Sequence, residues 1–162
     1  MSVPFDSGAS GHLRAHPTML FVVLVIVALA TADLLFACSF WHALYRVPPV
    51  RILQNIAAGL LGKRAFLGGG GTVALGALLH YAIMSVMVGV YYLASRRVDG
   101  LFERPWLYGC LYGLGLFVVM NLIVVPLSAV PKTPVPASWV VSSIVVHVII
   151  GLVIALSLRR AA

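Results

Sequence analysis

Four runs, residues 18–42, 72–93, 106–125 and 139–158, each hold about 20 mostly apolar residues, the length at which a helix crosses a hydrocarbon layer of roughly 30 Å. Asp33 is the one residue of fixed charge inside them. In lipid, every backbone N–H and C=O must find its partner within the protein, so runs of this length are helices. Strands of a barrel would be about half as long and would alternate in polarity. The pattern predicts an all-α membrane protein, a four-transmembrane-helix bundle built as a single transmembrane domain over 18–158. A flexible tail over 1–17 would precede it, and a short tail over 159–162 would follow. Four crossings put both termini on one side of the membrane and the connections 43–71 and 127–138 on the other.

Composition agrees and excludes other classes. Hydrophobic residues make up 62% of the chain and charged ones 9%, against about 45–50% and about 25% in soluble domains. The net charge of +7 is spread over chain ends and short connections rather than gathered on a face, which argues against a nucleic-acid partner. The partner composition does predict is the lipid bilayer. A cleaved secretory signal is a competing reading of the first run, because Ala30-Thr31-Ala32 has the small-x-small form of a cleavage site. Against it, the apolar run continues through Leu34, Leu35, Phe36 and Phe40.

Aromatic residues sort to the span ends. Trp41, Tyr45 and Trp139 fall on the side of the first connection, and Tyr91, Tyr92, Trp106 and Tyr108 on the side of the termini, as two interfacial belts would. The basic residues divide six to five. Arg14, Arg96, Arg97, Arg104, Arg159 and Arg160 lie with the termini; Arg46, Arg51, Lys63, Arg64 and Lys132 lie opposite. Four of the first group sit tightly against span ends, so cytoplasmic termini are expected.

The first connection contains an amphipathic segment over 49–62. Val50, Leu53, Ile56, Ala57, Leu60 and Leu61 keep the i, i+3, i+4, i+7 spacing of one helix face. Pro49 suits its first turn and Gly62 its end. Either it lies as an interfacial helix on the headgroups, or it covers a site between the spans, with Gly68–Gly71 as hinge or plain punctuation. The later connection has four prolines in twelve residues, 125–136, and should be stiff. It would serve as a spacer, or as a rim beside the amphipathic helix.

Each span contributes one strongly polar residue: Asp33, His80, Asn121 and His147. Counting about 1.5 Å per residue from each span's midpoint, they lie about 4–5, 4, 8 and 2 Å toward the first connection. Polar groups are costly at this depth, so a shared layer is expected to face the bundle interior. Small residues flank it and offer close helix approach. Ser143, His147, Gly151 and Ala155 recur every fourth residue on the fourth span, and Gly109-x-x-x-Gly113 on the third forms a groove that a second copy could fill. The second span carries Gly76, His80 and Met84 on one ridge, then Ser85-x-x-x-Gly89.

Two imidazoles, a carboxylate and a carboxamide could relay protons, hold a cation or hydrogen-bond the helices together. Haem or a divalent metal at His80 and His147 is a further alternative, although neither histidine belongs to the tight His-x-x-x-His or Cys-x-x-Cys spacing of strong metal motifs. No cofactor is expected on that ground. Cys38 and Cys110 fall near opposite faces of the membrane, too far apart for a disulfide. With Asp6, Asp33, Asp99 and Glu103 as the only acids, no hydrolytic constellation can be assembled, which points away from an enzyme.

At Val47-Pro48-Pro49-Val50-Arg51-Ile52-Leu53-Gln54-Asn55-Ile56-Ala57-Ala58-Gly59-Leu60-Leu61-Gly62, and again at Met120-Asn121-Leu122-Ile123-Val124-Val125-Pro126-Leu127-Ser128, the chain resembles small bacterial inner-membrane proteins of unknown function with four transmembrane helices. The resemblance covers most of 18–158. It implies a bacterial plasma membrane and brings no catalytic residues. Two uses stay open on these grounds: a small transport or ion-handling component, built as a homo-oligomer, and a membrane scaffold or interaction protein whose polar layer only fixes helix packing. A haem- or metal-binding redox protein is the third.

Overall fold

Thr18 sets the start of the first helix: its backbone is extended (ψ 148°) and its hydroxyl oxygen accepts the Phe21 amide at 3.3 Å, which serves one of the donors a helix start leaves unpaired. In a computed structural model describing residues 18–160, helix α1 (Met19–Tyr45) then runs without a break through Ala30-Thr31-Ala32. The tail expected over 1–17 and the last two residues lie outside the described residues. Among those described, the other helices are α2 (Pro49–Leu61), α3 (Gly69–Ser95), α4 (Gly100–Glu103), α5 (Pro105–Val119), α6 (Val125–Leu127) and α7 (Ala137–Arg160). A 3₁₀ turn over Gly62–Leu67 joins α2 to α3, and a π turn over Met120–Val124 joins α5 to α6. Four helical stretches, Met19–Tyr45, Gly69–Ser95, Pro105–Leu127 and Ala137–Arg160, are long and apolar enough to cross a membrane. The protein is an all-α, four-helix, multi-pass membrane protein. The spans extend past the residues expected for them, and Arg159 and Arg160, expected in a tail, continue α7.

Glycine decides the closest pairing. A Cβ on Gly109 would lie 2.9 Å from Leu152 Cα, one on Gly113 would meet the His147 carbonyl and lie 2.6 Å from Val148 Cα, and one on Gly151 would meet Gly109 and Gly113 in return. The backbones of α5 and α7 are therefore in direct contact, as small-residue stripes permit. This corrects one expectation. The Gly109–Gly113 groove is filled by α7 of the same chain, because a short connection delivers that helix antiparallel and without the entropy cost of a second molecule. Ser143 and Gly151 are buried in the same seam. A Cβ on Gly89, by contrast, would meet nothing within 4 Å among the described residues, and Ser85 is exposed, so that stripe packs against no other described helix.

The remaining core is aliphatic. Val22, Leu29 and Ala30 of α1, Met84 and Val88 of α3, and Ile154 and Leu158 of α7 form one cluster. Tyr91 joins it at 3% exposure, so it is turned into the bundle rather than set in the outer belt. Trp106, 64% exposed, keeps the outward position. At the other end Trp41 and Trp139 lie 5.2 Å apart between ring centres, and the Tyr45 hydroxyl is 3.0 Å from Ser138 Oγ. Those aromatics tie α1 to α7 as well as marking a common level.

Helix α2 begins with Pro49 at its first position and stops at Gly62, whose φ of +58° suits a residue without Cβ. It is held against α3: a Cβ on Gly76 would run into the Leu53 carbonyl, and Ala57 and Ala58 are fully buried beside Leu75 and Phe66. The buried face is Gln54, Ala57 and Ala58, whereas Val50 and Leu60 are 51% and 65% exposed. At 3.6 residues per turn, that contact face is rotated by roughly 80° from the apolar stripe expected to be covered. Alanines permit close backbone approach, and lipid can cover the leucines. The later connection reaches the same helix, with the Ala129 amide donating to the Gly59 carbonyl at 2.9 Å.

Candidate functional site

Asp33 and His80 meet where α1 crosses α3. Asp33 Oδ2 stands 3.8 Å from His80 Nε2, with the side chains 25% and 13% exposed. The same Nε2 lies 2.9 Å from the Ala30 carbonyl. A carbonyl only accepts, so Nε2 carries a hydrogen and donates to it, and in neutral His80 the basic lone pair is on Nδ1. The carboxylate is beyond hydrogen-bond length from Nε2 and within ion-pair range.

A second bond lies one residue along each helix. Thr31 Oγ1 donates to the Val27 carbonyl at 2.7 Å, and Tyr81 Oη, also at 2.7 Å, donates to Thr31 Oγ1. Neither residue was expected in the polar site from the sequence. The His80 and Tyr81 rings stand edge to face, 6.1 Å between centres.

His147 is turned differently. Its Nδ1 donates to the Ser143 carbonyl of its own helix at 2.7 Å, with Ser143 Oγ at 3.4 Å, which leaves Nε2 as the basic nitrogen. The two imidazoles therefore hold opposite tautomers. The edge of the Phe117 ring packs on His147, 5.8 Å between centres at 83°.

Asn121 sits apart from these three. Pro126 has no N–H to continue the regular ladder, and the helix before it widens to a π turn in which the Val125 amide reaches back to the Met120 carbonyl. Asn121 Nδ2 donates to the Phe117 carbonyl at 3.0 Å, within its own helix. Counted from the helix midpoints at about 1.5 Å per residue, Asp33, His80 and His147 fall within about 3 Å of one level, and Asn121 about 7–8 Å from mid-span. The structure brings Asp33 and His80 together, sets His147 at a similar depth, and puts Asn121 and His147 against the carbonyl and the ring of Phe117 respectively.

Among the described residues no group of three or more His, Cys, Asp or Glu side chains is placed to hold a metal ion. Cys38 and Cys110 are both unbridged thiols. No protein-family model, no curated protein and no solved structure matches the chain.

Proposed function

We propose that this membrane protein handles protons or a small cation at the Asp33–His80 pair, as a small transport component of a bacterial inner membrane with both termini in the cytoplasm. The observation that carries the reading is a carboxylate 3.8 Å from an imidazole between two spans, one quarter exposed. A carboxylate exposed at mid-membrane depth is costly in lipid. Water in a crevice, a passing cation or a second copy of the chain would each relieve that cost, and a homo-oligomer enclosing α1 and α3 fits it. His80 Nδ1 and His147 Nε2 bring two further proton-accepting nitrogens to about the depth of Asp33, the elements of a relay.

Asp33→Asn tests this directly, because it keeps shape and hydrogen bonding while removing the titratable proton. In liposomes carrying a pH gradient, the variant should lose proton flux while its melting temperature in detergent stays close to that of the parent. Flux of normal rate and pH dependence would remove Asp33 from the mechanism.

A structural reading rests on a different observation: each imidazole gives one N–H to a backbone carbonyl, Ala30 for His80 and Ser143 for His147. Bonds of this kind between or within spans are worth about 0.6–2 kcal/mol, and the protein would then be a scaffold. A haem at His80 and His147 is the remaining alternative, and an absorbance spectrum of the purified protein reads it. Ligation through His80 Nε2 would have to displace the Ala30 bond.

A further inference from the structure

The end of the bundle that carries the termini has a concave region of its own, removed from the Asp33–His80 pair. Glycines seat α5 on α7, but α5 meets α3 through rings. Tyr91 and Tyr112 pack edge to face at 5.0 Å, and the Tyr112 hydroxyl donates to the Met87 carbonyl at 2.6 Å. Rings hold two helices farther apart than glycines do. Beside them lies a crevice of about 280 Å³, lined by Tyr91, Ala94, Leu101, Tyr108, Leu111 and Tyr112. Ala94 is shared with an adjoining hollow of about 600 Å³ whose other walls are Leu93, Arg96 and Arg97. An almost wholly apolar slot thus leads past one alanine to two exposed arginines.

Three features identify what this shape would take. The slot is just under the range of about 300–1,000 Å³ typical of pockets for compact small molecules, and its apolar walls suit a single hydrocarbon chain. The Arg96 guanidinium lies over the Tyr92 ring at 5.9 Å, which helps to hold one planar fork at the mouth, and such forks bind phosphate oxygens in pairs. Arg96, Arg97, Arg104, Arg159 and Arg160 outnumber Asp99 and Glu103 at this end of the bundle, so the local field favours an anion.

We propose that the crevice between α3 and α5 binds one anionic phospholipid, with an acyl chain in the tyrosine-walled slot and the phosphate at Arg96 and Arg97. Free phosphate would use the arginines and leave the slot unused. A zwitterionic lipid would enter the slot and gain little from the arginines. The proposal is independent of any proton chemistry at Asp33.

The test is lipid titration of the full chain in mild detergent, read by native mass spectrometry and by melting temperature. The probes are phosphatidylglycerol, phosphatidylcholine of the same chains, and inorganic phosphate. Phosphatidylglycerol should give a one-lipid adduct and raise the melting temperature above either comparison. Its affinity should fall about fivefold for each arginine removed in Arg96→Gln and Arg97→Gln, and about 25-fold in the double variant. Leu111→Trp, on a half-exposed position of the slot, should block the adduct while both arginines remain. Ala94→Trp does the same from α3, should the first variant fold poorly. Equal binding of the two lipids, full stabilisation by inorganic phosphate alone, or an undiminished adduct in a folded tryptophan variant would each overturn the proposal.

Discussion

A methyl group added at Gly113 would run into the His147 carbonyl, whereas one added two residues further on, at Gly115, would meet nothing within 4 Å. The same substitution therefore has opposite consequences within one helix. Gly113→Ala should destabilise the protein by about 1–3 kcal/mol, the usual cost of overpacking a close contact. Gly115→Ala should be neutral, or stabilise by up to about 1 kcal/mol through helix propensity. Thermal unfolding in one detergent, with helicity as the readout, separates the two. The small-residue spacing made Gly109 and Gly113 legible as a packing face but left the partner open, because residue type tells how near a helix can come and not which helix comes. The polar residues divide similarly. Costly side chains in apolar runs singled out Asp33, His80, Asn121 and His147, and only the helix pairing brought Asp33 to His80 while the π turn gave Asn121 a carbonyl of its own.

Helix α2 shows the same division at the scale of an element. Its start, end and period follow from Pro49, Gly62 and the apolar repeat, all visible in the chain. Its contact face does not, since Gln54, Ala57 and Ala58 are covered while Leu60 is exposed. Amphipathicity measures preference for apolar surroundings, and in a membrane protein both lipid and protein satisfy it. Close approach at Gly76 then selects the alanine face. Gly76→Val should push α2 off α3 by obstructing the Leu53 carbonyl. Arg51, Lys63 and Arg64 flank that helix, so limited trypsin treatment of the reconstituted protein should cut the 50–64 region several-fold faster in the variant. An unchanged rate would mean that α2 is held by its bonds to the later connection, the Ala129–Gly59 pair foremost, rather than by α3.

For the molecule as a whole, an even number of crossings makes a direct prediction. With Cys38 and Cys110 replaced by serine, single cysteines at Lys63 and at Lys132 should react with a membrane-impermeant maleimide from the same side, and a cysteine at Arg97 only from the other. Labelling of Lys63→Cys and Arg97→Cys from one side would contradict four crossings. The outcome also assigns the orientation, because intact cells expose one face alone. It bears on the lipid crevice too, since the leaflet reached from the Arg97 side is the one whose headgroups meet Arg96 and Arg97.

The number of spans, their helical nature, the even topology and the identity of the polar residues were determined by the sequence, because hydrocarbon leaves a backbone of that length one way to satisfy its hydrogen bonds. Which faces meet was decided by the tertiary structure. Lipid is as apolar as leucine, so burial supplies little preference between one apolar face and another, and packing at glycine and alanine makes the choice. For that reason the α5–α7 seam, the turning of Tyr91 into the core and the opposite tautomers of His80 and His147 were visible only once the helices were assembled.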